Sequence, residues 1–253
     1  MEWAQLYSDL SAQLVANADL PWWQDFFVNF YRAFVEGGRW TLYLKGVLTT
    51  LRVTALALIM GVLLGVLVAV VRSAHDQQRP GRHNPVLAVL NAICKVYTTV
   101  IRGTPMIVQM LIMGSIIFAS SRNYTFIGTI ALGINSGAYV SEIIRGGLMS
   151  LDPGQAEAGR SLGLNYAQTM RFIVIPQAFK AILPALGNEF IVLFKDTALI
   201  TVIGGKELLY AAQAVGAKTY SVLYPYLGAA VIYLVLVMIL TWLQSRSEER
   251  RVG

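Results

Sequence analysis

Of the 253 residues, 56% are hydrophobic and only 13% charged, about half the charge of an average soluble domain. So little charge cannot solvate so much apolar surface, which excludes an ordinary globular domain and points to lipid as the solvent. The net charge of +6 then reads as membrane topology rather than nucleic-acid binding, and the single cysteine, Cys94, excludes an intrachain disulfide or a paired-cysteine metal site.

At the N-terminus, Glu2 and Asp9 stand where a signal peptide would carry basic residues, and no compact apolar run with a small-residue cleavage site follows. Residues 1–45 are predicted to be an extracytoplasmic segment. Within it Trp22, Trp23, Phe26, Phe27, Phe30 and Tyr31 recur at roughly helical spacing, as in a helix lying in the membrane interface.

Residues 46–245 read as an all-α transmembrane domain. A helix needs about 20 apolar residues to cross a ~30 Å hydrocarbon core, and five stretches are predicted to do so: about 47–71, 103–121, 126–148, 182–205 and 220–244. The cores of the first and last, Val53 to Val71 and Tyr220 to Gln244, carry no charge. In the second, Pro105 falls in the first turn, where a missing N–H costs little. Gly61 and Gly65 in the first form a Gly-x-x-x-Gly, a face for close helix packing.

Lys and Arg placement orients the spans. One side holds Arg72, Arg79 and Arg82, Lys95 and Arg102 in the segment 85–102, Arg160, Arg171 and Lys180, and a tail, 246–253, with Arg246, Arg250 and Arg251. The other holds Arg122, Lys206, Lys218 and an N-terminal segment whose five acids (Glu2, Asp9, Asp19, Asp25, Glu36) oppose Arg32, Arg39 and Lys45. The N-terminus is predicted outside and the C-terminus inside. His75 and His83 fall in the first basic loop and are most simply solvated.

Between the third and fourth spans lies a long connection, about 150–181, that is too well punctuated to be slack. Asp152 is a suitable N-cap, Pro153 suits the first helical position, and Gln155 can complete a capping box. That helix passes Glu157 and Ala158 and stops at Gly163, which can adopt positive φ. Asn165 caps a second helix with Gln168 three residues on, and Pro176 ends its pattern. Two short helices joined at a glycine elbow are predicted to project into the cytoplasm.

Glu157-Ala158-Gly159, then Gly163, then Ile173, Ile175 and Pro176 resemble the EAA loop of ATP-binding-cassette importer permeases, with Gly159 replacing the second Ala and Ile175 a Leu. The resemblance runs from about Lys45 to Leu209 and is to the polar amino-acid branch. It is carried by Arg102-Gly103-Thr104-Pro105 with Gln109, Ala138-Tyr139-Val140-Ser141-Glu142 with Arg145-Gly146-Gly147, Pro176-Gln177-Ala178, Leu183-Pro184, Asn188, and Lys195-Asp196-Thr197-Ala198-Leu199. The resemblance implies that the first loop helix docks on a separate ATPase subunit, so Glu157, Ala158, Gly159 and Gly163 are expected to carry coupling, with Gly159 leaving a smooth contact surface. It further implies a second permease copy or paralogue, an extracytoplasmic amino-acid-binding protein, and ATP and Mg held by the partner ATPase with no cofactor in this chain.

Charges inside apolar spans normally face protein or a wet cavity. Glu142 and Arg145, three apart, share a helix face and can pair, while Glu142, the deeper, is expected beside the substrate path, where it could hold an ammonium or guanidinium group. Lys195 and Asp196 are adjacent and cannot satisfy one another. Asn188, Val192 and Lys195 fall on one face, so Asn188 and Lys195 join Glu142 as candidate path residues; a buried structural network is the alternative.

No phosphate-binding loop is present: Gly205-Lys206 has Ile200 in place of the earlier glycine and is followed by Glu207. No metal-protease or nucleophile-elbow motif occurs, so no metal or catalytic residue is expected. The chain reads as a multi-pass, non-catalytic subunit of the cell (inner or plasma) membrane, the permease of an ATP-driven importer of polar amino acids. An ion-coupled secondary transporter or channel is the alternative; it calls for internal repeats, and none is seen.

Overall fold

A computed structural model describes residues 2–15, 21–78 and 84–252; Asp19, Arg79, Arg82 and His83 lie outside the described residues. Eleven α-helices form among them: α1 (Glu2–Val15), α2 (Trp22–Phe34), α3 (Trp40–Asp76), α4 (Pro85–Gly103), α5 (Met106–Ile112), α6 (Tyr124–Met149), α7 (Pro153–Ser161), α8 (Tyr166–Thr169), α9 (Ile175–Asp196), α10 (Leu208–Thr219) and α11 (Leu223–Val252). Of these, α3, α4, α6 and α11 are long and apolar enough to cross a bilayer.

The bundle is organised around α6. A Cβ built at Gly61 would lie 2.6 Å from Ser136 Oγ, and one at Gly65 would lie 2.6 Å from Val140 Cγ1. The two glycines thus let α3 sink onto α6, and because residue numbers rise together the helices run parallel. On the other side α9 runs antiparallel to α6: Ile182 packs at Gly147, Glu189 accepts a 2.8 Å hydrogen bond from Ser136, and Ile200 packs at Gly128. A 3-10 segment, Thr197–Ile203, lengthens α9 before Gly204 turns the chain at φ 90°.

The second span differs from expectation. Residues 85–102, read above as loop, form helix α4, and the stretch from Gly103 is the second half of a broken element. Pro105 lacks an N–H and pushes Thr104 into an extended conformation (φ −118°, ψ 146°), which ends α4. In a membrane the freed carbonyls need donors. Gln109 Nε2 supplies them, donating to Ile101 O at 2.7 Å and Thr104 O at 3.2 Å, and Gln109 Oε1 accepts from Asn135 of α6 at 3.0 Å. The chain continues through α5 and a π-helical turn (Met113–Ile117), whose Gly114 meets Ile203. With α9, which lies antiparallel along α6, added to the four membrane-length helices, the passes number four to five: α3, α4–α5, α6, α11 and α9.

At the Tyr124 end sits a buried polar knot absent from the sequence reading. Glu207, 1% exposed, accepts from Thr201 Oγ1 at 2.7 Å, from Thr50 Oγ1 at 3.4 Å and from the Tyr210 N–H at 2.9 Å, and also from the Tyr233 hydroxyl. One carboxylate thereby ties α3, the 3-10 segment, α10 and α11 together with its acceptor capacity filled.

The expected aromatic helix is α2. Phe34 packs at a tilt against Tyr43 and reaches Gly228, while Phe26 meets the edge of Tyr224 at the start of α11. Trp22 (81% exposed), Trp23 and Phe30 are exposed on this helix.

Candidate functional site

The 150–181 connection forms much as its caps dictate. Asp152 Oδ1 accepts from the Gly154 N–H at 2.8 Å, opening α7, although Gln155 does not complete a capping box because its side chain accepts from Gln177 at 3.0 Å instead. The exit of α7 is a Schellman turn: the Gly163 N–H donates to Arg160 O at 2.9 Å and the Leu164 N–H to Gly159 O at 3.1 Å. Gly163 supplies the required φ of 80°. Asn165 and Gln168 then close a full capping box on α8.

Two expectations for this loop change. Gly159 is buried rather than on the outer surface: a Cβ there would lie 2.8 Å from Thr169 Cγ2 and 2.9 Å from Ile173 Cδ1. The glycine in place of Ala therefore serves close packing of α7 onto the chain that follows, and Glu157, Ala158 and Arg160 are left facing out. Pro176 does not end the second helix. A π-helical turn, Met170–Val174, widens the backbone just ahead of the proline, Ile175 N–H reaches back to Met170 O, and the helix runs on into α9. The elbow is thus continuous with a membrane pass, so a push on α7 has a rigid route into the bundle.

The candidate path residues separate. Glu142 pairs with Arg72 of α3, 70 positions away, and sits 3.8 Å from Arg145, which donates to Asp76 at 2.6 Å. Sequence reasoning names Arg145, which stays as a looser second partner of Glu142, and misses Arg72, which it places with the loop charges. Asn188, Val192 and Lys195 share an exposed stripe on α9, as their spacing requires, while Glu189 turns inward to Ser136. Among the described residues, neither Lys195 nor Asp196 enters a salt bridge. Glu142 and the α9 stripe belong to different surfaces of the chain's packing, the first bound into the α3–α6 contact and the second open.

Beside Glu142 lies a cavity of about 560 Å³ between α3, α4 and α6, lined by Arg72, Lys95, Thr98, Thr99, Arg102, Gly103, Tyr139 and Glu142. The Arg102 guanidinium stands over the Tyr139 ring at 5.3 Å.

Removing the Glu142 charge leaves Arg72, whose side chain is 12% exposed, without its principal carboxylate. Breaking a buried pair costs roughly 3–5 kcal/mol, and the 30% exposure of Glu142 reduces that to about 2 kcal/mol. Glu142→Gln should therefore lower the unfolding midpoint of the purified protein. Arg72→Met in the same chain should recover most of the loss, and Arg145→Met should not; recovery by Arg145→Met alone would reassign the pair.

Residues 85–252 match the family described as binding-protein-dependent transport system inner membrane component. The arginine transport system permease protein ArtQ of Bacillus subtilis is 36% identical over 210 residues, 82% of this chain and 91% of that protein. The glutamine transport system permease protein GlnP of Escherichia coli K12 is 33% identical over 216 residues, 83% of this chain and 92% of its own. Among solved structures, an amino acid ABC transporter crystallised with histidines matches at TM-score 0.75 and 40% identity, covering 83% of this chain and 94% of that one. The MetNI methionine ABC transporter in an inward facing conformation shares the fold at TM-score 0.68 and 20% identity.

Proposed function

The chain belongs to the family of binding-protein-dependent transport system inner membrane components, a permease subunit of an ABC importer, and we propose that it imports polar amino acids, coupled through residues 150–181. Two permeases, identical or paralogous, enclose the path. Each grips a cytoplasmic ATPase through the exposed face of α7, and an extracytoplasmic binding protein delivers the amino acid. ATP and Mg are held by the ATPase. Closure of the ATPase pair pushes α7, and the elbow transmits the push to α9.

The observation that carries this reading is the elbow: a capped helix with an outward Glu157 and Ala158, locked by Gly163, and continuous with a membrane pass. An ion-driven transporter has no use for such a device. Affinity-tagged chain should retain a cognate ATPase through purification in mild detergent, and substitution across Glu157 and Ala158 should release it. Retention unchanged by those substitutions would remove α7 as the docking helix.

The Lys and Arg distribution, with Lys95 and Arg102 now counted within α4, supports a cytoplasmic loop and C-terminus. A cysteine at Gln78 should react only with reagents that enter the cell, and one at Asn123 should react from outside. Reversed labelling would invert the orientation and take the loop away from any cytoplasmic partner.

A further inference from the structure

At the Asp76 end of the bundle, α3 and α6 are clamped by two ion pairs one turn apart. Arg72 of α3 binds Glu142 of α6, and Asp76 of α3 accepts from Arg145 of α6 at 2.6 Å. Charge-assisted bonds of opposite sense, one above the other, fix both the separation and the register of these parallel helices, so their ends move as one body. The next residue, Gln77, caps α3 with its N–H on Ser73 O and His75 O, and its side-chain oxygen accepts a hydrogen bond from the Tyr166 hydroxyl. Tyr166 is the first residue of α8, and the Asn165–Gln168 capping box holds that turn, so the phenol is aimed from a fixed backbone. The elbow therefore meets the bundle at two places. One is covalent, at α9 through the Met170–Val174 π turn; the other is this hydrogen bond to the end of the α3–α6 pair.

We propose that Tyr166 is a positioning residue for coupling, passing the displacement of α7 to α3 and α6 through Gln77. The inference rests on the reading of the chain as an ATP-driven permease whose elbow engages an ATPase. With α9 as the sole attachment, a push on the elbow would first cross the π turn, where the backbone is widened. It would then reach α6 through apolar contacts such as Ile182 against Gly147. Apolar packing is non-directional and lets packed helices slide, whereas a hydrogen bond to a capped helix end is directional. The Tyr166–Gln77 bond makes α9 and the α3–α6 pair follow the elbow together. Tyr166 is 63% exposed and Gln77 is exposed at a helix end, so the bond adds little to folding. Its loss is therefore expected in coupling and not in stability.

The test uses the complete complex of permease, ATPase and binding protein in proteoliposomes. It reads uptake of a radiolabelled mixture of arginine, glutamine, histidine and glutamate per ATP hydrolysed. Tyr166→Phe, which keeps the ring and loses the donor, should lower that ratio at least about threefold, the scale of one hydrogen bond. Gln77→Leu should lower it as much, and the double variant no further, because both changes remove the same bond. Gln77→Glu keeps an acceptor for the phenol and should stay within about twofold of wild type. All of these variants should retain the ATPase on purification and unfold at the wild-type midpoint. An unchanged ratio in Tyr166→Phe overturns the proposal, and so do losses that add in the double variant or a Gln77→Glu protein as poor as Gln77→Leu. A Tyr166→Phe protein that sheds the ATPase or unfolds early also overturns it, since the phenol would then serve docking or folding. A wild-type complex that hydrolyses ATP but takes up none of the four amino acids would instead sink the importer reading, and this role with it.

Discussion

Gly65→Leu should prevent α3 and α6 from packing and leave little folded protein. A single Cβ at this site already falls 2.6 Å from Val140 Cγ1 and 3.0 Å from the Ser141 backbone nitrogen, so relief requires moving a helix. Overpacking a core costs typically 1–3 kcal/mol and sometimes more; against backbone, with Gly61 one turn away under the same constraint, about 3 kcal/mol or more is expected. Separation would also pull α6 from α9 and strand the Glu189 carboxylate that Ser136 satisfies. Thermal unfolding of the purified protein in detergent, with the monodisperse fraction by gel filtration, reads the effect. Leu63, 68% exposed on the same helix between the two glycines, supplies the control, since Leu63→Ala should shift stability by less than about 0.5 kcal/mol. A Gly65→Leu protein as stable as wild type would mean that these helices do not pack as described.

The second large effect concerns coupling. Gly163→Val should insert and fold but cut ATP-driven uptake at least tenfold. Nothing lies within 4 Å of a Cβ at this position, so the damage comes from the backbone alone. An L-residue held left-handed costs roughly 1–2 kcal/mol, and a β-branched one is worse placed still. That strain is relieved by opening the Schellman turn, which swings α7 away from α8 and the π turn. Gly163→Asn, whose side chain tolerates positive φ, should keep most activity. Glu157→Lys, which reverses an exposed charge on α7 and leaves the elbow intact, should reduce ATPase association instead. Normal uptake by both Gly163→Val and Glu157→Lys would make the elbow irrelevant to transport.

Local rules read well from this sequence. The caps at Asp152 and Asn165, the stop at Gly163 and the Gly61–Gly65 face each depend on residues within one or two turns, and each forms. The amphipathic aromatic helix at Trp22 forms for the same reason. Helix α4 is illegible because Asn91, Lys95 and Arg102 dilute an otherwise apolar run, and cations near a loop are naturally counted with it. Pro176 misleads because a local stop signal is overridden by a π turn whose register no spacing rule encodes. Arg72 and Glu207 act through partners far along the chain: Arg72 lies 70 positions from Glu142, and Glu207 lies 157 from Thr50. Both sequence partners of those contacts look unremarkable in isolation. Gly159 shows a third kind of limit, in which a small residue on an exposed helix serves packing that only the tertiary fold defines.

The most direct measurement is uptake of a labelled amino acid into proteoliposomes containing this chain, with its ATPase and binding protein added or withheld and ion gradients imposed or collapsed. Uptake that requires ATP and the ATPase subunit, and persists when the gradients are collapsed, is the expected result. Uptake by the chain alone, driven by a proton or sodium gradient and indifferent to ATP, would contradict it.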